Sequence, residues 1–510
     1  MKRYFPIVLG VLFAVACDPV PTPPPPTPPS GGDSIIVDTD SVVNNDTIVM
    51  PDDTVSVDSL GLMTMDVTFN VADDEAYVEV PEEIITDDTH GDYGDFIENY
   101  KAKTPFIITF SDNAVSHSAV PSNVKITKNG AHVEVKADKK EVEIILQGST
   151  SNGSFKLYSE KKMQITLNGV CITNPTGAAI NIQSGKTMLM QLADNTVNVL
   201  EDGDEYASTG TEQQKGTLFS EGQLVFSGNG ALTVKSNYGH GIASDDYVRI
   251  RGGEISINSV RDGISTKERF VMYGGTVHVV ALQDGLDIDE GYIEIGGGRL
   301  TVDAVDEGIT TSYEGDEFGN VDPNVDPYIN IRGGFVKVST TGDKGHGLRA
   351  MSTLSMSGGI VQVSTLGAGS KALLSEGDMS FTGGKVTAIT EGDALYEDDA
   401  DELSSSAAVR SKGTLTMNGM VVGLKSTGSG SKGVNNVGDV VLRNSSVKIV
   451  AIGEDHVTDY ERARPYAINT DGKLSVSGGS LLIKTTRTPI KATTMQIADD
   501  VVYGAVTLEN

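Results

Sequence analysis

Tryptophan is absent from the 510 residues, cysteine occurs twice, and basic side chains are scarce, 39 Lys and Arg against 70 Asp and Glu for a net charge of -31. Each shortage excludes something. So negative a chain is not built to bind a phosphate backbone, because nucleic-acid affinity comes from Lys and Arg neutralising phosphates. Two cysteines cannot form a disulfide framework. Long apolar runs are missing too: the one sustained stretch, Tyr4–Ala16, lies at the extreme N-terminus, which excludes a multi-pass membrane protein. What remains is ordinary globular material, 38% apolar with 58 glycines, enough for a large core.

The negative charge is uneven. Between Tyr4 and Tyr100 there are 20 acidic residues and no Lys or Arg, whereas residues 101–510 carry 50 acidic and 37 basic side chains. Lys2-Arg3 and the apolar run that follows read as a signal peptide, since thirteen residues rise only about 20 Å as a helix, too short for the ~30 Å hydrocarbon layer. Ala14-Val15-Ala16-Cys17 resembles a bacterial lipoprotein box, so residues 1–17 are expected to be a leader ending at a lipidated Cys17; the alternative is a secretory signal with an incidental cysteine. Residues 18–34 form a Pro-rich linker. Residues 35–103 are acidic, and their self-repulsion predicts an extended, largely solvated stalk. The expected location is outside the cytoplasm, as an exported lipoprotein at the outer membrane or cell surface, touching membrane through the lipid alone. Cys171 is then a lone thiol, expected to be a small buried filler.

From residue 163 the chain repeats. Gly252-Gly253-Glu254-Ile255-Ser256-Ile257, Gly274-Gly275-Thr276-Val277-His278-Val279 and Gly297-Gly298-Arg299-Leu300-Thr301-Val302 align, and each is followed by Asp262-Gly263-Ile264, Asp284-Gly285-Leu286 or Glu307-Gly308-Ile309. The glycines at 241, 263, 285 and 308 step by 22, 22 and 23 residues. About twelve such units are legible, and periods of this size mean a solenoid. Within a unit the apolar period is two and strands end at Gly-Gly and Asp-Gly turns, where glycine is expected to supply positive φ. The expected fold is all-β, a parallel β-helix of about twelve rungs with three short strands each. It occupies residues 163–510, preceded by a β-rich segment over 104–162.

Read in order, Ile165-Thr166-Leu167-Asn168-Gly169-Val170, Gly177-Ala178-Ala179-Ile180, Asn195–Leu200, Gly228–Val234, Gly241-Ile242-Ala243-Ser244 and the Asp-Gly-Ile units resemble a bacterial family of calcium-dependent, carbohydrate-binding parallel β-helix proteins whose fold is similar to family 9 pectate lyases. The likeness covers about residues 104–510. It implies right-handed coiling, Ca²⁺ held by aspartates on stacked turns, and binding of a polysaccharide, including acidic ones. One departure is that Asp245-Asp246 stand where such proteins often carry a lysine shortly after Gly-Ile-Ala-Ser.

The repeat stacks Asp262, Asp284 and Glu307 in one column, with His240 and His346 in the outer units. Asp287 and Asp289 follow Asp284, Asp245 and Lys267 share the column of Asp289, and Asp306 precedes the corner. Carboxylates one rung apart, ~5 Å, repel by about 3 kcal/mol at an effective dielectric of 20. A cation, a neighbouring base or protonation must offset that, and Arg261 and Lys267 are too few. Ca²⁺ takes six to eight hard oxygen ligands, which such a column supplies together with loop carbonyls. The alternative is that each Asp caps its own turn and faces water. Four insertions, Glu201–Gly216, Ser312–Pro327, Glu391–Ser406 and Gly453–Pro465, carry Tyr206, Tyr313 with Phe318, Tyr396 and Tyr460. These rings either stack on sugars or pin their own loops to the wall. Without tryptophan, a plateau gripping crystalline cellulose is disfavoured. Gly428-Ser429-Gly430-Ser431-Lys432-Gly433 spells a dinucleotide fingerprint, yet no helix follows it, so it reads as a corner.

Three functions follow, in order: a non-catalytic, monomeric polysaccharide-binding lipoprotein using Ca²⁺; a passive spacer or adhesin recognising protein; and a Ca²⁺-dependent lyase. For the last, Lys267 is the candidate base, with Arg249, Arg251 and Arg261 weaker.

Overall fold

Period-two alternation decides the architecture. A computed structural model describes residues 60–69, 75–315, 318–397, 402–459 and 461–508; those residues are almost wholly β, with short 3₁₀ turns such as Gly91–Asp95 and Ile97–Asn99. One rung consists of the strands His240–Ser244, Tyr247–Ile250 and Glu254–Ser259; the next has Ile264–Thr266, Arg269–Met272 and Thr276–Ala281. Each strand pairs in parallel with its equivalent one rung away, giving three ladders that wind as a β-helical solenoid. The first ladder is a separate sheet, and the second and third join where long strands such as Met163–Asn174 and Val440–Ala451 run through the corner.

Register follows the sequence repeat. Ile264 sits opposite Leu286 and Leu286 opposite Ile309, all fully buried. Burying each such side chain is worth roughly 1.5–3 kcal/mol. At the other end of each rung Ile257, Val279 and Val302 stack in the same interior. Near the N-terminus the hairpin Val124–Asn129 with Ala131–Ala137 is antiparallel, as is Thr104–Ser111 with Ala114–His117. These hairpins cover a terminus that would otherwise present free strand edges.

Glycine does two jobs. The second residue of each Gly-Gly pair has positive φ, 98° at Gly253 and 80° at Gly275 and Gly298, as a corner requires. The Asp-Gly glycines are instead needed for space: a Cβ at Gly285 would lie 2.1 Å from Val302 Cγ1 and 2.4 Å from the Gly308 carbonyl. Cys171, expected as a buried filler, faces outward between Ser149 and Val199 and is half-buried.

The acidic segment departs from expectation. Where residues 60–69 and 75–103 are described, they form a strap along the wall and not a solvated stalk. Leu62, Met65 and Val67 are buried against Ile389, Val450 and Val506. Asp66 meets Lys425 at 2.8 Å, and the Val80 amide donates to the Gly296 carbonyl at 2.8 Å. Glu82 pairs with Arg249 at 2.7 Å and Arg251 at 2.6 Å, while Asp95 pairs with Arg249 at 2.9 Å and accepts from the Tyr247 hydroxyl at 2.6 Å. Tyr100 donates to the Val142 carbonyl at 2.8 Å, near the first rung. The strap therefore runs backward, from late rungs to early ones. Its like charges are tolerated because their partners come from solenoid arginines far along the chain. The rest of the stalk, the Pro-rich linker, the leader and Cys17 lie outside the described residues.

Candidate functional site

The outer face of the first ladder carries the column that the repeat predicts. The amides of Gly241, Gly263, Gly285 and Gly308 donate to the carbonyls of Asp262, Asp284, Glu307 and His346, at 3.0, 2.9, 2.9 and 2.8 Å. This stacks His240, Asp262, Asp284, Glu307 and His346 one above the next. Side chains reinforce the stack: the Asp284 amide donates to Asp262 Oδ1 at 3.1 Å, and the Glu307 amide to Asp284 Oδ1 at 2.8 Å. Asp262 Oδ2 lies 3.0 Å from His240 Nδ1. Turn capping, the alternative that the sequence left open, is therefore one job of these aspartates, and each caps its neighbour's turn.

Asp287 occupies the outward position of the strand Leu286–Ile288, between Ser265 and Thr310. Burial, then Asp289, Asp262 and Glu307, push its carboxyl up to about 7. Burial with Glu307 and Asp262 holds Asp284 far above the ordinary carboxylate range, and burial with Asp262 and Glu290 raises Asp289. The structure thus gathers Asp262, Asp284, Asp287, Asp289 and Glu307. Asp245 turns instead to an ion pair with Lys215, and Asp306 is exposed on its bend. Lys267, the candidate base, is exposed with its ammonium 3.4 Å from Glu290. Arg249 and Arg251 are committed to the strap, and Arg261 is exposed.

As a donor set, these carboxylates suit a hard cation, which would offset the burial and mutual repulsion that raise Asp284, Asp287 and Asp289. As placed, no three carboxylate, imidazole or thiol side chains among the described residues converge on one point. Asp262 and Asp284 each already spend an oxygen on a backbone amide.

The aromatic residues divide. Tyr206 donates to Asp202 Oδ2 at 2.6 Å and stacks on Tyr238 with centroids 4.7 Å apart, so it pins its loop to the wall. The Tyr313 hydroxyl accepts from the Asp322 amide at 2.8 Å, closing its own insertion. Phe318 is 80% exposed. Tyr396 is half-buried in the strand Leu395–Glu397, which pairs with Glu402–Ser404. Tyr460 lies outside the described residues.

Beyond Glu307 the same face reverses sign, which the sequence reading missed. In the outward column Asp287 is followed by Thr310, Arg349, Leu374 and Arg410, and at the far end by Asn435, Asn469 and Lys491. In the corner column His346 is followed by Lys371, Ala407, Lys432 and Tyr466. Arg349, 3.6 Å from Glu307, marks the boundary. His346 Nδ1 accepts from the Lys371 amide at 3.1 Å, and burial, then Lys371, Arg349 and Arg410, hold its pKa down at about 3. It is a neutral turn residue.

Against known proteins, a family model described as "Carbohydrate-binding domain-containing protein" matches residues 121–394, more than half of the chain. A carbohydrate-binding domain-containing protein of Acetivibrio thermocellus is 29% identical over 153 residues, 29% of this chain and 49% of that protein, so the match spans about half the relative's length. The structure of a polysaccharide lyase-like protein from C. thermocellum, a gadolinium derivative, aligns with TM-score 0.41 and 23% identity over 55% of this chain and 99% of that one.

Proposed function

The chain belongs to the carbohydrate-binding domain-containing protein family, and from that premise we propose that it binds polysaccharide on the outer face of the first ladder without cleaving it. One observation carries the placement: this face presents charged side chains at one-rung intervals, while three insertions enter just before it and one just after it. Loops gathered at the edges of one solenoid face build a binding surface. Phe318 and Tyr396 are the rings proposed to stack on sugars; Tyr206 and Tyr313 serve their own loops.

Ca²⁺ is the ion proposed for the acidic end, with Asp284, Asp287, Asp289 and Glu307 as its carboxylate donors. Burial, with the charge of Asp289, Asp262 and Glu307, lifts Asp287 to about 7, and that is what supports it. Bound there, the ion supplies a positive contact for uronate carboxylates at the end of the face that otherwise repels them. Anchorage through a lipidated Cys17 belongs to the same proposal, supported by the leader pattern alone. Binding without cleavage is favoured because Lys267, the candidate base, is exposed and 3.4 Å from a carboxylate.

Retardation on immobilised polygalacturonate, with and without a chelator, tests the reading. Retention that falls on chelation supports it. No retention on acidic or neutral polysaccharide sinks it, and unsaturated product absorbing in the ultraviolet would replace it with the lyase.

A further inference from the structure

Lys432 stands out among the charged groups of the molecule. Its side chain is directed into the basic half of the first-ladder face, its residue is only 8% exposed, and its ammonium donates to Ser405 Oγ. Among the described residues no carboxylate lies within 4.0 Å of it. Its charged surroundings are cations: burial, then Arg410, Lys491 and Lys371, push its pKa down to about 7. A buried ammonium amid like charges is costly unless an anion completes it.

The space for that anion exists. A cleft of about 510 Å³ lies over Lys432, lined also by Ser405, Arg464, Tyr466, Asn469 and Lys491. Two hairpins wall it, Leu395–Glu397 with Glu402–Ser404 and His456–Val457 with Arg462–Ala463. They are tied together where the Leu403 amide donates to Glu461 Oε2 at 2.6 Å. Glu461, the carboxylate of the lining, is turned to that amide, and Arg462 pairs with Asp455. Asn469, bonded to Asn435 at 2.8 Å, adds amide groups of the kind that read hydroxyls, and Tyr466 adds a ring beside the lysine.

The geometry points to this cleft as the subsite that receives an oxyanion carried on a sugar, a uronate carboxylate or a sulfate ester, through direct contact with Lys432, Lys491 and Arg464 and without a bridging metal. This rests on the polysaccharide-binding reading and deepens it: a second anionic substituent is read at the basic end, some five rungs or ~24 Å from the carboxylates.

The test uses the full chain in metal-free buffer, titrated by calorimetry with polygalacturonate, dextran sulfate, neutral dextran and inorganic sulfate, for wild type, K432M, K491Q and the D287A/D289A pair. Expected is binding of one or both anionic polymers that weakens with added salt, falls at least tenfold in K432M and severalfold in K491Q, and persists in D287A/D289A. Polygalacturonate alone identifies the carboxylate, dextran sulfate alone the sulfate ester. Unchanged affinity in both lysine variants, checked as folded by circular dichroism, overturns the subsite, as does binding of inorganic sulfate without either polymer. Equal binding of neutral dextran, insensitive to K432M, overturns the subsite and leaves polysaccharide binding standing; no polymer bound with or without Ca²⁺ overturns both.

Discussion

The two halves of one sheet face share a backbone and differ in sign. Over Asp262, Asp284, Asp287 and Glu307 this face gathers carboxylates, and burial together with neighbouring charge raises the pKa values of Asp284 and Asp287. Over Arg349, Lys371, Arg410 and Lys432 the same face gathers cations, and burial together with neighbouring cations depresses His346 and Lys432. Underneath, the inward ladder continues unbroken from Ile264 to Val434. A solenoid therefore separates two tasks that a globular core entangles: the inward residue of each strand holds the stack, and the outward one is free to carry chemistry.

The strongest way to test that separation is to cut the ladder under each half. Leu286→Ala beneath the acidic end and Leu373→Ala beneath the basic end are both expected to cost about 2–5 kcal/mol in urea unfolding. A large inequality would mean that the outer charges, and not the core, set local stability. Next in size is metal affinity. D287A/D289A is expected to lower Ca²⁺ affinity at least tenfold by calorimetry while K432M leaves it alone; an unchanged titration removes both aspartates as ligands.

The halves should also answer pH in opposite directions. Asp287, raised to about 7 from 3.8, keeps a proton in the metal-free native state that the unfolded chain has released. Its stabilising share is whole below about pH 4 and is lost as pH rises through about 7. His346, lowered to about 3 from 6.5, refuses a proton that the unfolded chain accepts, so its share is present above about pH 6.5 and lost as pH falls toward 3. Melting temperatures of D287N and H346Q followed from pH 3 to 8 should each lack one of these slopes. The smallest effect is expected at Phe318→Ala: within about 0.5 kcal/mol in stability, with any change confined to retention on polysaccharide.

The acidic end was legible in the sequence because its signature is local. Asp-Gly recurs at near-constant steps, and glycine is forced there by the closeness of the next rung, so aligning glycines aligns carboxylates. The basic end was not legible by that route. Lys371 precedes Ala372 and Lys432 lies in a Ser-Lys-Gly corner, with an insertion between them that breaks the step. Strand pairing, Lys371 to Ala407 to Lys432, shows them in one column. The strap was hidden for a different reason. Glu82 and Arg249 are 167 positions apart, and a charge count along a window sees the repulsion without the partner.

That strap bears on how the molecule comes apart. Stacked repeats contact mainly their neighbours and can fray from either end, one at a time. Here a single segment touches Lys484, Lys425, Gly296, Arg249 and Val142 in turn, so peeling one layer requires loosening a seam that also binds many others. Opening is thereby made collective, and a rod assembled from near-identical tiles is expected to melt as one body.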